Sequence, residues 1–210
     1  GIGPVVFVNP IRSEPVFDRI LFPTDGSDGA AVALDLAVDL ATAHDASLHV
    51  LNVADTRRDS VVQIGGEVVD ALESEGESIV GEAAERLRNV SVEVHTEVLQ
   101  GEPYRTIVDY ASSRAMDVVV MPTRGRQGLE RLLLGSTTER VLRQSDVPVL
   151  TVRPDDATVR YPFETVLAPT DGSDCAREAV GLGADLASAE GAALHLLSVV
   201  DVASLGADVR

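Results

Sequence analysis

Residues 121–137 read MPTRGRQGLERLLLGST and set Gly125, Gly128 and Gly135 in one short stretch, the last followed by Ser136 and Thr137. A glycine lets the chain take positive φ and lets another group approach with no Cβ in the way. Successive free N–H groups in such a loop form a concave nest for an anion. Gly135, Ser136 and Thr137 stand where a helix is expected to start, and a helix start presents unpaired N–H groups and the positive end of its dipole. The Ser136 and Thr137 hydroxyls add donors, and Arg124 and Arg126 add cations at the rim. On residue types alone, two readings stand: loop flexibility, or a seat for a phosphate chain. A Walker loop is excluded because no lysine follows the glycines, and the spacing is not that of a dinucleotide fingerprint.

Other chemically capable residues carry less. Asp25, in PTDGS, either faces a ligand or closes a strand-to-helix turn, since Asp-Gly is a common turn pair. His49 and His195 fall inside expected strands and read as packed or hydrogen-bonded residues; His44 and His95 read as surface residues. No Cys/His spacing suits zinc, and no serine has the Gly-x-Ser-x-Gly surroundings of a nucleophile elbow. Cys175 sits at an expected helix start, where a thiol pKa falls, but with no resolving cysteine it reads as an incidental thiol. The glutamates of 67–85 read as a solvated helix face.

These residues need a scaffold. RILFPT (19–24) and MDVVVM (116–121) are apolar runs ending in turn signals, the mark of buried strands. SLHVLNV (47–53) and PVLTV (148–152) are further strands, and VSVEVHTEVL (90–99) alternates like a half-exposed one. Helices are expected after Ser27 or Asp28, with Val32, Leu36, Val38 and Leu40 on the sheet; across about 66–88; across 102–114, opened by Pro103; and across about 136–144. Alternating strands and helices predict an α/β fold: a doubly wound, mainly parallel five-stranded sheet, Rossmann-like, with helices on both faces. Ligands of such sheets bind at the carboxyl ends of the strands. PTDGS, the end of the second strand and the glycine loop all belong there.

The chain repeats itself. Residues 17–55 and 163–201 align without a gap at an offset of 146, with 21 of 39 positions identical. The expected organisation is a complete module over 17–153, a linker over 154–162, and the first part of a second, truncated module over 163–210. Residues 1–16 hold GPVVFVNP, patterned like VPVLTVRP (147–154), and read as the last strand of a preceding module or an N-terminal arm. With no initiator Met, the sequence is expected to begin inside a longer protein.

Composition narrows the partners. The formal net charge is −17, and all 17 basic residues are arginine. Such a balance repels nucleic acids and anionic membranes, and aromatics at 3% offer no base-stacking platform. A lysine-free acidic surface suits a salt-rich, halophilic cytoplasm, where screening removes self-repulsion. A GC-rich genome is the plainer explanation. One cysteine permits no intrachain disulfide and fits a reducing compartment. No run of 18 apolar residues occurs, which excludes a transmembrane helix.

The start ILFPTDGSDGA, the strand LHVLNV, and VVVMPTRGRQG, LLLGS and VPVLTVRP together resemble the universal stress protein family, over nearly all of 17–153 and again over 163–201. The signature of its ATP-binding members is Gly, two residues, Gly, a spacer, then Gly-Ser or Gly-Thr; Gly125, Gly128, Gly135 and Ser136 fit it. The spacer here is six residues where nine is usual, and Pro122 and Arg124 stand where relatives carry Gly and His. The resemblance implies a fold like the adenine nucleotide alpha hydrolases. It implies an adenosine site lined by Pro23, Thr24 and Asp25, with Val50 bonding adenine through its backbone and Met121 covering base or ribose. Gly125, Arg126, Gln127 and Gly128 would wrap the phosphates, and Gly135, Ser136 and Thr137 would hold their far end. The implied cofactor is ATP, or ADP or AMP, with Mg²⁺ bridging phosphate oxygens. The implied role is stress regulation with at most slow hydrolysis, and the implied partners are an adenine nucleotide and a second module or subunit pairing through 148–152 as a homodimer. Two alternatives stay open: a nucleotide-free dimerisation module, and a slow ATPase or adenylate-transferring enzyme.

Overall fold

The computed structural model describes residues 16–55, 61–64, 67–123, 134–153 and 161–199. Two compact units divide at Tyr161 and Pro162.

In the unit that begins at Phe17, the chain runs through β1 (Arg19–Pro23), α1 (Asp28–His44), β2 (Ser47–Asp55), β3 (Val61–Ile64), β4 (Glu67–Asp70), α2 (Ala71–Leu87), β5 (Val94–Gly101), α3 (Pro103–Ser113), β6 (Val118–Pro122), α4 (Ser136–Gln144) and β7 (Val149–Val152). Five strands form one sheet in the order β5-β2-β1-β6-β7, and every pairing in it is parallel. The expected α/β fold is therefore present. Ile20, Leu21 and Phe22 in β1 and all five residues of β6 are buried, as central strands with both faces covered must be. On one face, Leu21, Leu51, Val119 and Met121 join Ile107, Tyr110 and Ala111 of α3 and Val141 of α4 in one cluster. β5 and β7 are the sheet's edges.

Ser27 caps α1: its hydroxyl accepts from the Ala30 N–H at 3.2 Å. The face of α1 differs from expectation. Ala30, Ala33, Leu34, Leu36, Ala37, Leu40 and Ala41 are buried, while Val32 and Val38 are only half-buried. The stripe of alanines at i, i+3, i+7 and i+11, flanked by Leu34, Leu36 and Leu40, sets the helix direction, because small side chains let it lie close to the sheet. The helix ends on Asp45 in the left-handed region (φ 55°), a conformation Asp tolerates better than most residues.

A second correction concerns 61–70. The expected helix across 66–88 begins only at Ala71, and β3 and β4 precede it as an antiparallel pair. Val61, Val62, Ile64, Val68 and Val69 are β-branched and favour strand. The ladder pairs Ile64 with Glu67, so Gly65 and Gly66 fall between them, and a Gly-Gly pair between such runs is a hairpin signal. β5 likewise starts at Val94 rather than at Val90.

The second unit holds β8 (Thr165–Pro169), α5 (Asp174–Glu190) and β9 (Ala193–Leu197), with β8 and β9 parallel. Its register repeats the first copy: Leu167 faces His195 as Leu21 faces His49. Ser173 caps α5 as Ser27 caps α1, and Gly191 (φ 66°) closes it where the first copy uses Asp45. Among the described residues, no helix is long and apolar enough to cross a membrane.

Candidate functional site

β1 and β6 are neighbours at the centre of the sheet, but the chain leaves them in opposite directions: through α1 to β2, and through α4 to β7. Their carboxyl ends therefore frame a crevice of the kind in which open α/β sheets hold ligands.

The β1 side is built locally. Pro23 ends the strand, buried. The Thr24 N–H donates to the Leu51 carbonyl at 2.8 Å, extending the ladder by one residue. The Thr24 hydroxyl accepts from the Gly26 N–H at 3.1 Å, and Asp25 Oδ1 accepts from the Ser27 N–H at 3.1 Å. Gly26 takes φ 72°, which only glycine adopts freely. Asp25 thus closes the turn, and the turn displays its half-buried carboxylate at the strand end. The second copy repeats these contacts: Gly172 N–H to Thr170 Oγ1 at 3.2 Å and Ser173 N–H to Asp171 Oδ1 at 2.9 Å. Hydrogen bonding to Ser173 holds Asp171 below the usual carboxylate range.

The β6 side is the start of α4. Gly135 is its N-cap, with no side-chain cap bond, and Ser136 and Thr137 are its first residues. An α-helix has no internal acceptor for its first N–H groups. The tip is pinned to the strand end by two bonds. The Gly135 N–H donates to the Thr123 carbonyl at 2.8 Å, and the buried Thr138 hydroxyl donates to the Pro122 carbonyl at 3.0 Å. Thr123 is itself tied to the sheet through its N–H and the Val152 carbonyl, at 2.8 Å. A rigid, uncapped helix start with two adjacent hydroxyls therefore stands at the end of β6, suited to an anion.

The other named residues divide into three groups. Met121 is buried in the cluster beneath the crevice. Val50 lies inside the sheet, opposite Phe22 and Thr96, with its side chain buried; the part of β2 that runs past β1 is Asn52–Asp55. Gly125, Arg126, Gln127 and Gly128, with Arg124, lie outside the described residues.

Two residues escaped the sequence reading. Asn52 is buried, and its amide donates to the Thr24 carbonyl at 2.8 Å. It sits where the strand pattern expects an apolar residue, and a polar residue inside an apolar run is the signal that finds it. Thr138, the second, reads in sequence as an ordinary first-turn residue.

His49 lies away from the strand ends. Its Nδ1 is 3.2 Å from the Tyr110 hydroxyl and its ring 4.6 Å from that of His95. Burial first, then His95, Arg114 and Arg19, push its pKa below the usual histidine value. It is the hydrogen-bonded strand residue the sequence suggests. Among the described residues, no group of three or more His, Cys, Asp or Glu side chains is placed to hold a metal.

The comparisons agree with this architecture. A profile of the universal stress protein family matches residues 17–153 and 162–209. Universal stress protein MJ0531 of Methanocaldococcus jannaschii is 34% identical over 145 residues, spanning 68% of this chain and 85% of that protein. The solved structure of MJ0577 from the same organism superposes with a TM-score of 0.59 at 31% identity, covering 66% of this chain and 96% of the other. A universal stress protein solved in complex with cAMP superposes with a TM-score of 0.52 at 25% identity, covering 66% and 99%. With the parallel order β5-β2-β1-β6-β7 and the match over both units, the chain belongs to the universal stress protein family.

Proposed function

We propose that this stress protein binds an adenine nucleotide, ATP with Mg²⁺ foremost, at the crevice between β1 and β6, and acts through the bound state rather than by rapid turnover. The observation that carries this reading is the α4 tip. Ser136 and Thr137 offer uncapped N–H groups and hydroxyls, in a tip fixed to the end of β6 by the Gly135 N–H on the Thr123 carbonyl and the Thr138 hydroxyl on the Pro122 carbonyl. Such a tip selects a polyanion by hydrogen-bond geometry and dipole, with no lysine needed. That matters in a chain of net charge −17, where the anion must be held locally against a repulsive field.

The Thr24–Ser27 turn supplies the other end, with Asp25 towards the ribose and base and Pro23 and Met121 as apolar floor. Gly125, Arg126, Gln127 and Gly128 would close over the phosphates, and the divalent ion would be held chiefly by phosphate oxygens. The cAMP-bound relative supports the nucleotide class. The residues favour a regulator over an enzyme, because among the described residues no general base accompanies the tip. We assign 17–153 to one complete module and 163–210 to the beginning of a second. We place homodimer or module pairing at β7, an edge strand of the sheet among the described residues. A salt-rich cytoplasm suits the charge.

The test is mass spectrometry of small molecules released on denaturing the purified chain, followed by titration with fluorescent ATP in molar KCl. Released ATP, ADP or AMP, and saturable binding weakened by replacing Ser136 and Thr137 with alanine, are expected. No released nucleotide and no binding would instead make this a nucleotide-free interaction module. Phosphate release on the timescale of seconds would make it an enzyme.

A further inference from the structure

His49 and His95 are direct partners across the parallel ladder of β2 and β5. Their rings lie 4.6 Å apart, tilted by 33°. Facing side chains on one sheet surface feel each other's charge, and histidine is the side chain that gains its charge near neutral pH. Both rings lie on the face covered by α3. α2 sits on the other face, where Gly76 meets Asn52 and Val98.

Each element around the pair adds a charge or a hydrogen bond. From α3, the buried Tyr110 hydroxyl is 3.2 Å from His49 Nδ1, and the Arg114 guanidinium is 5.2 Å from the Tyr110 ring. From β1, Arg19 donates to the Arg114 carbonyl at 3.0 Å. The Asp117 carboxylate beside it is taken up by the N–H groups of Asp18 and Arg19, both at 2.8 Å. On the β5 side, Glu93 Oε1 is 3.3 Å from His95 Nε2, and Glu97 Oε2 accepts from Arg114 at 3.4 Å. The Glu97 carboxylate also accepts from the Tyr110 hydroxyl, which then has no proton left for His49. His49 therefore donates from Nδ1, and an added proton goes to Nε2, so the Tyr110 bond does not guard against it. With both rings charged, four cations (His49, His95, Arg19 and Arg114) face two carboxylates, Glu93 and Glu97, and Glu97 is already held by Arg114.

From this cluster we infer that the His49–His95 pair is an acid-operated latch at the edge of the sheet. Neutral rings keep β5 and α3 shut over β2. Two charged rings push the first residues of β5 and the last two turns of α3 outward. The release falls there because, among the described residues, β5 pairs with β2 alone, whereas β1 and β6 are held on both sides. The latch needs no bound nucleotide. Burial first, then His95, keep the His49 pKa in the closed form below the ordinary 6.5. The open form takes the proton that the closed form refuses, so opening is suppressed above that pH and grows as the pH falls below it.

The test is amide exchange of the full, nucleotide-free chain at pH 7.5 and 5, read by mass spectrometry and corrected for the intrinsic pH dependence of exchange. Residues 94–101 and 107–115 should exchange faster at pH 5 by on the order of tenfold, since one proton contributes about tenfold per pH unit. Residues 19–23 and 118–122 should keep their rate. His95→Gln, at an exposed position and checked for an intact fold by circular dichroism, should remove most of the acceleration. In that variant the His49 ring, followed by NMR, should take its proton at a higher pH than in the parent chain. His195→Gln, which alters the counterpart histidine of the second unit, should change neither readout. No acceleration at pH 5, equal acceleration in β1 and β6, or undiminished acceleration in His95→Gln overturns the proposal. So does a His49 titration that His95→Gln leaves unmoved.

Discussion

Two glycines in one helix should respond to the same substitution with opposite signs. A Cβ built on Gly76, in α2, would lie 2.6 Å from Asn52 Oδ1 and 2.8 Å from Val98 Cγ1. One built on Gly81, further along the same helix, meets nothing within 4 Å. Helix propensity favours alanine at both by about 1 kcal/mol. At Gly81 that gain stands alone. At Gly76 the methyl must displace the buried Asn52 amide or push α2 off β2 and β5. Overpacking of this kind costs about 1–3 kcal/mol. Breaking the 2.8 Å bond from Asn52 to the Thr24 carbonyl leaves buried polar groups unpaired, for about 1–3 kcal/mol more. With the propensity gain subtracted, Gly76→Ala should lower stability by about 1–5 kcal/mol, a fall in Tm of roughly 3–15 °C for a unit of this size. Gly81→Ala should raise Tm by up to roughly 3 °C. Thermal denaturation followed by far-ultraviolet circular dichroism reads both. Because Asn52 holds the turn that carries Asp25, Gly76→Ala should also weaken nucleotide binding while Gly81→Ala leaves it unchanged. If Gly76→Ala is as stable as Gly81→Ala, the close seat of α2 over Asn52 is refuted.

Three further outcomes follow from the same geometry. Thr138→Val keeps the shape but removes the hydroxyl bonded to the Pro122 carbonyl; it should cost about 1–2 kcal/mol in urea denaturation and, by loosening the α4 tip, weaken ATP in fluorescence titration. His49 has its pKa held below the ordinary 6.5 of an unfolded chain, burial being the first cause. Unfolding therefore takes up a proton once the pH falls below that value, and stability present at pH 7.5 should decline on acidification. His49→Gln should flatten that decline in urea midpoints measured from pH 7.5 to 5, and an unchanged slope would contradict the assignment. The net charge of −17 should make Tm rise with KCl up to the molar range, where the Debye length falls to about 3 Å; a Tm independent of salt would show that self-repulsion is not a determinant.

The sequence was informative where one force dominates. β1 and β6 read as buried strands because a strand covered on both faces has no polar alternation. Ser27, Gly135 and the start of α4 were legible because caps and glycines are short-range signals. The α1 face was misread because valines and leucines draw attention, whereas the residues that touch the sheet are largely alanines chosen for close approach. β4 was absorbed into a helix because the glutamates that follow are strong helix formers, and β3 was passed over as loop. Gly76 and Thr138 carry no local signature and Asn52 only a weak one, a polar residue in an apolar run: each acquires its role from a partner twenty-four, sixteen or twenty-eight positions away, brought near by the fold of the sheet and its helices. At the site, the turn after β1 and the tip of α4 were readable, but the two bonds that pin that tip were not.

The turn after β1 and its twin after β8 share one set of hydrogen bonds, although β1 is buried and β8 is mostly exposed. The bonds that bend it lie within Thr-Asp-Gly-Ser and the first helical turn, and the neighbouring strand adds the Leu51 and Asn52 bonds to Thr24 only afterwards. Contacts this close in sequence form fastest. On the ribosome, each loop can take its final shape before the later strands have emerged. The half-site proposed to meet the base would then be finished well ahead of the half-site proposed to meet the phosphates.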